Sequence, residues 1–118
     1  MRPERIVLSR GRGFNLQDIS AARNGLPAQV VARPGRWGNP FAIAQVMAET
    51  ALGKDEAQAE CVERYRRWVS GEMPAMQSPG LPPDAAHIRA ELAGKNLACW
   101  CKAGTPCHAD ILIDIANS

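Results

Sequence analysis

Short apolar runs and longer helical stripes follow one another along this chain. Arg5-Ile6-Val7-Leu8-Ser9 reads as a strand, broken by the glycine-containing Arg10-Gly11-Arg12-Gly13. Residues 15–24 show no decisive period, and Asn24-Gly25 signals a turn. Gln29-Val30-Val31-Ala32-Arg33 reads as a second strand, after which Pro34-Gly35 turns the chain into Arg36-Trp37-Gly38-Asn39-Pro40-Phe41. A helix is expected over about 41–51, ending near Gly53. A clearer one spans about 55–69, where Cys61, Val62, Tyr65, Trp68 and Val69 recur at helical spacing and charged residues fill the other faces. Asp55 is the expected N-cap and Gly71 the stop. Residues 71–83 hold four of the nine prolines and read as an exposed loop. A short helix from Asp84 to Gly94 should bury Ala85, Ile88 and Leu92, and Asn96–Cys101 should be a strand. The last helix is expected to open at Thr105–Pro106, with Ile111, Leu112 and Ile115 on one stripe.

The order β, β, α, α, α, β, α predicts an α/β fold: a small two-layer or three-layer open sheet, at least partly parallel, with about four helices. The 118 residues suit a single domain over 1–118. No apolar run approaches the ~20 residues of a membrane span. No apolar signal core follows Met1–Arg5, so a cytoplasmic location without membrane contact is expected.

Charge is uneven. Residues 1–40 carry seven arginines (Arg2, Arg5, Arg10, Arg12, Arg23, Arg33, Arg36) against Glu4 and Asp18, within a chain of net charge only +2. Guanidinium forks bind oxyanions bidentately, so this third suggests a surface for phosphates or carboxylates; the alternative is a solvated basic face.

The candidate chemistry lies in Cys99-Trp100-Cys101-Lys102-Ala103-Gly104-Thr105-Pro106-Cys107-His108-Ala109-Asp110, which holds three of the four cysteines. Cys61 stands apart as a small buried hydrophobe. On a strand, Cys99 and Cys101 share a face. With Cys107 and His108 they make a common zinc set, although the spacing is not that of a zinc finger and neighbouring Cys107 and His108 should diverge on a helix. A second reading makes Cys107 a thiolate activated by a helix N-terminus, with His108 as acid or base and Asp110 or Asp114 orienting it. A third makes the turn an anion cradle helped by Lys102 and Thr105. The plainest reading has the cysteines merely packing in the core. In the second segment, Arg33 and Arg36 could hold a phosphate, Trp37 could stack a base and Asn39 could hydrogen-bond it; Trp37 could equally staple the loop to the core. His87 reads as a surface or packing residue.

Arg36-Trp37-Gly38-Asn39-Pro40-Phe41, Tyr65-Arg66-Arg67-Trp68, Cys99-Trp100-Cys101 and Pro106-Cys107-His108-Ala109-Asp110 occur in that order. With them the chain resembles a family of small bacterial and phage proteins catalogued as a domain of unknown function, which often has glycine at the position of Ala109. The resemblance implies one compact domain and supplies no reaction. Three functions are therefore carried forward, the third being direct RNA or DNA binding by the basic N-terminal third. In the first, one site binds a nucleotide or other phosphorylated small molecule and acts on it, with Cys107, His108 and Asp110 at the reacting end. In the second, a zinc-stabilised, non-enzymatic domain contacts nucleic acid or protein.

Overall fold

A computed structural model describes residues 2–33 and 35–118; the turn expected at Pro34 lies outside the described residues. The strands β1 (Arg5–Val7), β2 (Ala28–Val30) and β3 (Asn96–Cys99) form one parallel sheet in the order β1-β3-β2. Ile6 pairs with Ala98, and Gln29 with Leu97. The helices are α1 (Leu16–Asn24), α2 (Ile43–Thr50), α3 (Lys54–Val69), α4 (Ala85–Leu92) and α5 (His108–Ala116). The α/β class is as expected, with one helix more than the pattern indicated.

That extra helix is α1. Asn15 caps its start by accepting from the Asp18 N–H at 3.1 Å, and Gly25 ends it in the left-handed conformation at φ 78°. Its buried positions are Ser20 and Asn24, so its inner face is polar and leaves no apolar stripe to read. Both side chains meet Asn96, which is fully buried on β3. Asn96 Nδ2 donates to Ser20 Oγ (2.7 Å) and Asn24 Oδ1 (2.8 Å), while its Oδ1 accepts from Asn24 Nδ2 and the Glu4 N–H, both at 2.8 Å. Every polar atom of Asn96's amide is thus engaged, which is what makes its burial tolerable.

The crossovers β1–α1–β2 and β2–α2–α3–α4–β3 run in opposite senses along the sheet. Right-handed connections then place α1 on one face and the other helices on the opposite face. All four residues of β3 are buried, as a central strand covered on both faces requires. The main core gathers Val31, Trp37, Tyr65, Ile88, Leu92, Leu97, Leu112 and Ile113, and a satellite of Val46, Ala57 and Cys61 joins α2 to α3.

Several boundaries differ. Helix α3 begins after Gly53 rather than at Asp55. Ala85 is exposed, while Ile88 and Leu92 are buried. On α5, Ala109, Leu112, Ile113 and Ala116 are buried; Ile111 and Ile115 are only half-buried. Within 71–83, Ala75–Gln77 forms a single 3-10 turn, and Trp68 Nε1 pins the segment by donating to Gly80 O at 3.0 Å. Among the described residues, no helix is long and apolar enough to cross a membrane.

Candidate metal centre

Strands β1, β3 and β2 all end at the same edge of the sheet, because they are parallel. Residues 100–107 leave β3 there and return as α5. Two side chains brace this loop. Arg5, only 11% exposed, donates to Thr105 O at 2.8 Å and Lys102 O at 3.2 Å. Gln58 of α3 donates to Pro106 O at 2.7 Å and Thr105 Oγ1 at 3.2 Å. Thr105 therefore serves as a loop brace, its hydroxyl donating to Lys102 O at 2.7 Å, and it does not cap the helix.

The N-cap is Cys107, with extended angles of φ −152° and ψ 141°. This bears on the divergence expected of neighbouring Cys107 and His108. Cys107 is outside the helix and His108 is its first residue, so the side chains converge: Cys107 Sγ lies 3.9 Å from His108 Nδ1. Cys99 and Cys101 share a face as expected, with Sγ atoms 3.9 Å apart. The Sγ atoms of Cys99, Cys101 and Cys107 all lie within 4.8 Å of one another. Tetrahedral zinc with ~2.3 Å sulfur bonds has S···S edges of about 3.8 Å, so the cluster has nearly the dimensions of one tetrahedral face.

His108 is 5% exposed, and its Nε2 lies 2.7 Å from Val31 O. A carbonyl can only accept, so Nε2 donates to it, and Nδ1 is the nitrogen turned toward Cys107. Metal-bound histidines are typically oriented in this way, by an outer acceptor on the far nitrogen. The Tyr65 ring packs edge-on to His108 at 5.0 Å between centroids. In the thiol cluster itself, hydrogen bonds from Cys101 and Cys107 hold Cys99 far below the usual thiol range. Cys107 is pushed up by its bonds to Cys101 and Cys99 and by burial.

The other expected site residues fall differently. Cys107, expected as an activated thiol under a helix dipole, is 1% exposed. Asp110 is exposed and pairs with Arg5 at 3.2 Å, and Asp114 pairs with Arg2; Val31 O takes the orienting role expected of an aspartate. Trp37 is 5% exposed, with the Arg36 guanidinium 4.7 Å above its ring, so it is a core residue rather than a stacking platform. Asn39 is turned inward as well: Nδ2 donates to Cys61 O at 3.2 Å and Oδ1 accepts from the Phe41 N–H at 2.9 Å. Tyr65 OH donates to Trp37 O at 3.1 Å. At Gly38, a Cβ would lie 2.6–2.9 Å from Arg33 atoms, two of them backbone, so only glycine allows this close approach. The segment 37–41 therefore docks the chain onto α3, whose Tyr65 in turn touches His108. Arg33, Arg36 and Lys102 remain exposed. Arg5, Gln58 and Val31 O carry no motif; only their partners in the folded chain reveal them.

Fold and cluster define a small α/β fold with three close cysteines that could hold a metal ion at the carboxyl edge of a parallel sheet. The chain belongs to the family described as Domain of unknown function (DUF4326), which matches residues 15–118. No curated protein and no solved structure matches it.

Proposed function

We propose that this chain is a zinc-stabilised, non-enzymatic binding domain, with Cys99, Cys101, Cys107 and His108 as the four ligands. The observation that carries the reading is the convergence of three thiols within 4.8 Å, one of which has His108 Nδ1 3.9 Å away. Soft thiolates with one imidazole select zinc over harder divalent ions. Four protein ligands close the coordination sphere and leave no position for substrate, which marks a structural ion. Such an ion ties the end of β3 to the start of α5 across the loop 100–107. The alternative of a nucleotide-processing site loses its stacking ring with the burial of Trp37, and its nucleophile with the burial of Cys107.

The test is metal analysis of untagged protein purified without chelator. About one zinc per chain is expected, lost together with most of the thermal stability in Cys99→Ser/Cys101→Ser. A folded, metal-free protein that takes up no zinc on titration would refute the proposal.

A further inference from the structure

The three loops leaving the carboxyl edge are residues 8–15, 31–42 and 100–107. They carry Arg10, Arg12, Arg33, Arg36 and Lys102, and none of the chain's 12 acidic residues. All five cations are exposed. Elsewhere most arginines are paired: Arg2, Arg5, Arg23, Arg64, Arg66 and Arg67 each face a carboxylate within 4.0 Å. Among the described residues the loop arginines have no such partner. The roots of the loops are adjacent strands ~4.8 Å apart, so all three loops leave from one end of the sheet.

An aromatic ring stands among them. Trp100 is 47% exposed, although it lies between two buried or half-buried cysteines. The Arg10 guanidinium sits 4.8 Å from its centroid. An arginine stacked on an indole keeps its edge N–H groups available for phosphate oxygens, and the pair offers flat surface to a base. Exposed cations beside an exposed ring, on loop tips rather than in a cleft, suit an extended strand more than an enclosed small molecule.

We propose that this edge binds single-stranded nucleic acid, with Arg10, Arg12, Arg33 and Arg36 on phosphates and Trp100 stacking a base. The inference goes beyond the metal reading, because it rests on exposed charges and can hold or fail whatever the zinc content. Four phosphate contacts give a salt slope of about −2.8 for a single strand, a roughly 50-fold loss of affinity between 50 and 200 mM salt.

The experiment is fluorescence anisotropy with a labelled dodecathymidylate and the full chain as purified. Arg12→Ala/Arg33→Ala should halve the slope, so that the same salt change costs about 7-fold. Trp100→Ala should weaken binding about 5-fold or more without lowering Tm. Arg89→Ala, which removes another arginine without a carboxylate partner but on α4, should change nothing. Absence of binding at 50 mM salt would overturn the proposal. So would a slope indifferent to Arg12→Ala/Arg33→Ala, tighter binding to duplex, or equal affinity for a free mononucleotide.

Discussion

Replacing Asn39 by alanine tests whether the Trp37–Phe41 segment holds the fold or waits for a ligand. The Asn39 side chain makes two bonds: its amide donates to Cys61 O at 3.2 Å, and its carbonyl accepts from the Phe41 N–H at 2.9 Å. Both are partly buried, and each is worth about 1 kcal/mol net, so the alanine variant should lose about 2 kcal/mol. A chain of 118 residues has an unfolding entropy of about 0.25 kcal/mol/K, which makes this a fall in Tm of about 8 °C. Asn39→Asp retains the acceptor and loses the donor, so its Tm should lie at or below the midpoint between wild type and Asn39→Ala. The assay is thermal unfolding by circular dichroism in the presence of excess zinc. An unchanged Tm in Asn39→Ala would refute the reasoning that this residue anchors the segment to α3.

Asn96→Ala should cost about 3–4 kcal/mol in denaturant unfolding, because it strands the Glu4 N–H, the Asn24 amide and the Ser20 hydroxyl in a buried network; a loss below 1 kcal/mol would contradict that account. Ala51 ends α2 with φ 62°, a left-handed conformation that alanine resists. Ala51→Gly should therefore raise stability by about 0.5–1 kcal/mol, seen as a rise of 2–4 °C in Tm. Removing zinc with a strong chelator should lower Tm by about 15 °C when the loaded protein holds zinc at ~1,000 times its Kd, since that occupancy contributes about 4 kcal/mol; an unchanged midpoint would show the ion to be absent or inert.

Much of this architecture was legible wherever apolar burial wrote the pattern. The stripe Cys61, Tyr65, Trp68, Val69 announced α3, and the run from Asn96 marked the central strand, which ends at Cys99 rather than Cys101. Helix α1 escaped because its inward positions, Ser20 and Asn24, are polar and are satisfied by Asn96, more than 70 residues away in sequence. The cysteine block folds into three close thiols, and its geometry depends on one backbone feature. With Cys107 in extended rather than helical angles, its Sγ lies 3.9 Å from His108 Nδ1. The tryptophan loop looked like a ligand clamp because its residue types suit one. Its actual task comes from α3, which supplies Tyr65 OH and Cys61 O as partners that no local spacing encodes.

The most direct test of the metal centre is X-ray absorption at the zinc edge of the protein as purified. Three sulfurs at about 2.3 Å and one nitrogen at about 2.0 Å are expected, with the nitrogen shell lost in His108→Ala. A zinc environment dominated by oxygen and nitrogen, or one unchanged in Cys99→Ser, would contradict the assignment.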